Sequence, residues 1–152
     1  MNIKFIIEYK GTDYHGWQMQ KNAQTIQGEL NKAFKILLPS DNINIIGSGR
    51  TDAGVHAYNQ IASVQLPSNL NLNNFFNSIN GIINKDVYIK SFEKVDDDFH
   101  ARFSASCRSY QYHINNQYSP FKKQISWFVN YTINLDLLNK CAEALIGEHN
   151  FS

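Results

Sequence analysis

Two apolar stripes at helical spacing, set among short apolar runs, restrict the fold more than any other feature of this chain. Ile26, Leu30, Ala33, Phe34 and Leu37 form the first stripe, and Leu72, Phe75, Phe76, Ile79 and Ile82 the second. Each recurs with the period of one buried helix face. Thr25 is a suitable N-cap and Pro39 stops the first element, so the spacing predicts a helix over Thr25–Leu38. The runs Ile3–Tyr9, Asn42–Gly47, Gln60–Leu66 and Val87–Val95 read as strands. The order is β-α-β-β-α-β, an α+β arrangement of the ferredoxin-like or RRM-like kind. In it, two helices cover one face of a four-stranded antiparallel sheet. With 43% hydrophobic and 13% aromatic residues, the 152-residue chain can fill such a core, and at 18% charged residues it is no disordered polyelectrolyte.

After Asp96-Asp97-Asp98, read as a solvated turn, the pattern restarts. Ser109–Ile114 alternates, with Tyr110, Tyr112 and Ile114 on one face. Leu135–Ile146 reads as a helix with Leu135, Leu138, Ala142 and Leu145 on its apolar stripe, and Gly147 as its C′ residue. The predicted organisation is one domain over 1–98 and the start of a second α+β domain over 99–152.

Bulk properties narrow the function classes. A net charge of +1 does not by itself point to nucleic acid. Any RNA-binding surface must come from local clusters, for which Arg50, Arg102, Arg108, Lys122 and Lys123 are candidates against a background of scattered solvated charge. Cys107 and Cys141 lie far apart without a CxxC, which argues against a disulfide framework or a zinc ribbon. They read as free buried thiols in a reducing cytoplasm. The five histidines lack ligand spacing with Cys or Glu, so no metal or cofactor is expected. The start has no signal-peptide organisation, and no apolar run approaches a membrane span, so a cytoplasmic chain is expected.

Chemistry concentrates between the second and third predicted strands, in Gly49-Arg50-Thr51-Asp52-Ala53-Gly54-Val55-His56-Ala57. Three glycines (Gly47, Gly49, Gly54) surround one carboxylate, with an arginine two residues before it and a histidine four after. An ordinary hairpin needs none of these, although an Asx-type turn at Asp52 is the plain alternative. The nine residues resemble the GRTDxGVHA signature of the TruA family of tRNA pseudouridine synthases. Two further segments agree with that family. Tyr9-Lys10-Gly11-Thr12-Asp13-Tyr14-His15-Gly16-Trp17-Gln18-Met19-Gln20 resembles its Y-x-G-x-x-Y-x-G-W-Q-x-Q segment. Phe99-His100-Ala101-Arg102-Phe103-Ser104-Ala105, with Arg108-Ser109-Tyr110-Gln111-Tyr112, resembles its F-x-A-R-x-x-A…R-x-Y-x-Y segment. Gly147-Glu148-His149-Asn150-Phe151 is similar to its G-x-H-D-F segment, with Asn150 in place of Asp.

The resemblance implies an isomerase that converts uridine to pseudouridine at tRNA positions 38–40, in the anticodon stem-loop, and works as a homodimer. Asp52 then corresponds to the catalytic carboxylate. It can attack C1′, add to C6 or remove a 2′ proton, and the residues do not choose among these. Tyr110 corresponds to the tyrosine that stacks on the target base; alternation alone makes it an inward-facing strand residue. Arg50 is a candidate to stand in for the extruded base or to hold a phosphate, and its plain alternative is a surface arginine paired with an acid. Arg102 and Arg108 are candidate phosphate contacts. His56 either hydrogen-bonds the loop or transfers a proton. Tyr14, Trp17 and Gln18 either shape an RNA groove or pack the long first loop against the sheet.

In the family, a basic residue that holds the aspartate ionised comes from later sequence, so the 152-residue chain alone is expected to have little or no activity. The rival class is a non-catalytic RRM-like RNA-binding module. Against it, Gln60–Leu66 carries no RNP1-type pattern. A purely structural or dimerisation piece is the third reading.

Overall fold

The computed structural model describes residues 1–39 and 42–150, in two compact units, 1–108 and 109–152. Phe151, the last residue of the G-x-H-D-F-like segment, and the following Ser152 lie outside the described residues.

The first unit contains β1 (Asn2–Tyr9), α1 (Ile26–Leu37), β2 (Ile46–Gly47), β3 (Ala57–Gln65), α2 (Leu72–Ile82) and β4 (Val87–Val95). The sheet order is β2-β3-β1-β4, with every pairing antiparallel, which is the predicted α+β ferredoxin-like arrangement. Strand β1 sits between β3 and β4, so its alternate residues Ile3, Phe5, Ile7 and Tyr9 are buried on one face. The two helices bring their stripes onto that face. Ile26, Leu30, Ala33 and Phe34 of α1 and Phe75, Phe76 and Ile79 of α2 join one cluster with the strand residues. Phe76 lies at its centre, stacked on Phe92 at 4.4 Å and tilted against Phe5 at 5.7 Å. Both helices have side-chain N-caps, from Thr25 to the Gly28 N–H and from Asn71 to the Asn74 N–H. On the other sheet face Lys4 pairs with Glu93, and Lys90 lies 3.4 Å from Glu8.

The segment after β4 folds back on this polar face. Asn2 Nδ2 donates to the Asp96 and Phe99 carbonyls, and the Ala101 N–H donates to Ser63 Oγ, so two polar side chains are buried yet satisfied. Asp96, Asp97 and Asp98 are exposed, as expected of a solvated turn.

Two strand boundaries differ from expectation. The predicted strand over Asn42–Gly47 forms only at Ile46–Gly47. Its backbone is used elsewhere, because the Ile45 carbonyl accepts Gln27 Nε2 of α1 at 2.8 Å. Strand β3 begins at Ala57 instead of Gln60, since Ala57 pairs with Tyr9 and the length of β1 overrides the polar composition of Tyr58-Asn59-Gln60.

The second unit contains β5 (Ile114–Asn115), a 3₁₀ turn (Pro120–Lys122), β6 (Trp127–Phe128) and α3 (Leu135–Glu143). The alternating run Ser109–Ile114 is not a strand. Only Ile114–Asn115 pairs, in parallel with Trp127–Phe128, and Tyr110 and Tyr112 are exposed in irregular chain. Alternation specifies a face, but a strand also needs a partner for its backbone groups. Helix α3 stops three residues earlier than predicted, as Leu145 and Ile146 N–H donate to carbonyls only three residues back. Gly147 has φ +111° but stands beyond that cap and is not C′. Cys107 and Cys141 are exposed, against the expectation of burial; Cys141 sits on α3, which has no buried residue. Among the described residues, no helix is long and apolar enough to cross a membrane.

Candidate active site

The loop from Ser48 to His56 leaves the end of β2 and returns at β3, and the long loop after β1 lies against it. The first loop carries three contacts. The Trp17 N–H donates to the Thr51 carbonyl at 3.0 Å, the Gly54 N–H donates to the Tyr14 carbonyl at 3.1 Å, and the Gly11 N–H donates to His56 Nδ1 at 3.2 Å. Glycine is required where the two loops touch. A Cβ at Gly11 would lie 2.0 Å from the Val55 carbonyl oxygen, and Gly16, with φ +83°, would place one 2.4 Å from that of Thr51. Tyr14 and Trp17 are almost fully buried, 3% and 2% exposed. They pack the first loop onto the core and do not line an open groove. Gln18 is exposed and reaches Gln27. Burial, reinforced by the nearby Glu29 charge, pushes the Tyr14 hydroxyl above its ordinary value of 10.0.

Between these anchors Asp52 and Ala53 remain exposed. The Asp52 carbonyl accepts the Val55 N–H at 3.2 Å, which closes the turn through the backbone and leaves that work off the carboxylate. Arg50 is exposed on the same loop, and no ion pair joins it to Asp52 among the described residues. His56 Nδ1 accepts a backbone N–H, so in this arrangement the ring is the Nε2–H tautomer. The loop is also held from below: Gln60 Nε2 donates to the Gly49 carbonyl at 2.6 Å.

Arg102 and Arg108 come to this loop from the segment after β4. Arg108 Nε donates to the Ser48 carbonyl at 2.7 Å and Nη2 to the Arg102 carbonyl at 2.9 Å. Arg108 therefore ties two chain segments together with part of its fork and keeps its remaining donors available. Arg102 is exposed. Tyr110 belongs to the second unit and is exposed. An exposed carboxylate on an immobilised backbone, with three arginines carried by the same unit, is an arrangement in which guanidiniums could take phosphate beside a carboxylate free to react.

A model of the tRNA pseudouridine synthase family matches residues 5–104. The chain belongs to that family. The match takes in the first loop, Arg50, Asp52, His56 and Arg102. Curated relatives agree along nearly the whole chain. The tRNA pseudouridine synthase A of Brachyspira hyodysenteriae is 42% identical over 99% of this chain and 62% of its own length. That of Thermoanaerobacter sp. (strain X514) is 38% identical with the same coverage. The tRNA pseudouridine synthase A 1 of Protochlamydia amoebophila is 39% identical over 98% of this chain and 59% of its own. The chain thus spans about three fifths of the length of these relatives.

Sequence reasoning singled out the glycine-rich loop around Asp52 but not what immobilises it. Tyr9, Gly11 and Thr51 stood inside the quoted motifs without a role, and only the approach of the two loops gives them one.

Proposed function

We propose that this chain carries the reactive carboxylate of a tRNA pseudouridine synthase, an isomerase acting on uridine at tRNA positions 38–40 in the anticodon stem-loop, with Asp52 as that carboxylate. The observation that supports it is the exposed Asp52 on a loop held on both sides by backbone hydrogen bonds, inside the stretch matched by the family.

The reaction is an isomerisation. The N1–C1′ bond of uridine breaks, the base turns, a C5–C1′ bond forms, the C5 proton leaves and N1 gains one; nothing is oxidised. Asp52 starts each of the three routes open to a carboxylate: addition to C1′, addition to C6, or removal of the 2′ proton. Arg50 occupies the space of the extruded base or a flanking phosphate, where a planar guanidinium recovers part of the stacking lost on flipping. Arg102 and the free donors of Arg108 take backbone phosphates. Tyr110 offers an aromatic face to the target base. His56 is assigned to holding the loop through Gly11 and to no proton transfer. The working enzyme on this reading is a cytoplasmic homodimer.

The test is tritium release from tRNA labelled at uridine C5, measured for the chain and for the chain joined to the remaining portion of the Brachyspira hyodysenteriae relative. Release is expected from the joined form and should fall below detection in Asp52→Asn, while tRNA affinity stays within several-fold. Product at the parent rate from Asp52→Asn would remove Asp52 from the mechanism. Tight binding without release from any form would favour an RNA-binding module.

A further inference from the structure

We infer that Tyr9 is a positioning residue for the reaction, acting through Thr51 on the direction of the Asp52 carboxylate; this rests on the synthase reading of Asp52. The Tyr9 hydroxyl and Thr51 Oγ1 are hydrogen-bonded at 2.8 Å, across 42 residues of sequence. Tyr9 is the last residue of β1 and is 4% exposed, with its ring 6.3 Å from that of Trp17. It pairs with Ala57 on one side and Val87 on the other, so its backbone is fixed by the sheet. The phenol is therefore a rigid post, and its hydroxyl ends at the residue just before Asp52.

Thr51 is held twice. Its side chain meets Tyr9 while its carbonyl accepts the Trp17 N–H at 3.0 Å. These two bonds fix the torsions of residue 51 from opposite ends, and so the peptide plane that leads into Asp52. On the far side, Gly54 and His56 are fixed to Tyr14 and Gly11. Asp52 is thus the exposed middle of a span anchored at both ends, and its N-terminal anchor includes a side-chain-to-side-chain bond. A carboxylate that must reach one carbon of a flipped sugar gains from such an arrangement, since a displacement of about 1 Å costs roughly 100-fold in rate.

A core tyrosine with a merely satisfied hydroxyl would look similar from its burial alone. The two differ in what removing the oxygen does. Tyr9→Phe keeps the ring, the burial and the Trp17 contact, and removes the hydroxyl that bonds Thr51. In the joined form described above, it should lower kcat for tritium release about 10-fold to 100-fold and leave KM for tRNA within about 2-fold. Thr51→Val should do the same, Thr51→Ser should restore most of kcat, and Tyr9→Phe with Thr51→Val should be no slower than either alone. Losses that multiply in the double variant, or a KM that rises with kcat unchanged, would overturn the assignment. A second readout needs no RNA: amide exchange at Ala53, Gly54 and Val55 in the 152-residue chain. Faster exchange there in Tyr9→Phe, with exchange in α1 and α2 unaltered, supports the post, and supports it even if no parent form releases tritium, in which case the synthase reading alone fails. Exchange unchanged in the loop would overturn the post whatever the activity.

Discussion

Residues 1–108 and 109–150 have comparable local signals and very different interiors. Both contain a helix with a side-chain N-cap and an apolar stripe. In the first unit the stripes of α1 and α2 meet a sheet whose central strand is paired on both sides, and the core is closed. Among the described residues of the second unit only Val129 is buried, while Leu135, Leu138, Leu145 and Trp127 are exposed. The difference teaches that an amphipathic stripe states a demand for a partner, and that sheet pairing decides whether the demand is met. It also explains why the braced Asp52 loop belongs to the first unit, where two loops can be held against a rigid core.

The comparison can be broken most directly in the core. Phe76→Ala should cost the first unit about 3–5 kcal/mol, the usual range for deleting a buried aromatic ring. Leu138→Ala, in a side chain 45% exposed, should change stability by less than about 0.5 kcal/mol. Urea unfolding followed through Trp17 in a Trp127→Phe background checks the first, and amide exchange across α3 the second. Equal losses would mean that the second unit has a core as well.

A smaller effect is expected from adding one methyl group. Gly11→Ala forces backbone against backbone at the Val55 carbonyl and should cost about 1–3 kcal/mol while loosening the Asp52 loop. Gly147→Ala meets nothing nearer than His149 Nε2 at 3.8 Å, so its cost comes from φ alone, about 1 kcal/mol, and should leave Trp17-detected unfolding unmoved. A Gly11→Ala chain as stable as the parent would mean that the first loop is not seated on the second.

The smallest contrast lies in the helix caps. Thr25 Oγ1 caps α1 from a buried position, and Thr25→Ala should cost about 1 kcal/mol, seen as a lowered thermal midpoint. Asn134→Ala removes the equivalent cap of α3, and the effect should be confined to exchange in its first turn. A global loss from Asn134→Ala would bring the two units closer in cooperativity than their burial indicates.

Much of the first unit was legible from residues alone. The two helices, the Thr25 cap and β4 follow from periods of 3.6 and 2 with marked ends, and Gly49–Ala57 stood out as an apolar-flanked glycine set around Asp52. The two missing strand stretches have one cause. Asn42–Ile45 and Ser109–His113 have strand-like patterns, yet a strand exists only where another chain segment offers N–H and C=O groups in register, and sequence does not show that supply.

The sequence by itself determined which residues could be buried, where the helices start, and which loop holds a carboxylate among glycines, because these depend on each residue's own chemistry and its near neighbours. Only the tertiary structure decided that Tyr9 stands beside Thr51, that Gly11 must be bare because Val55 lies against it, and that Arg108 braces Ser48. Those contacts join positions 42 to 60 residues apart, and their geometry is set by the register of the sheet and the packing beneath it, which no local pattern encodes.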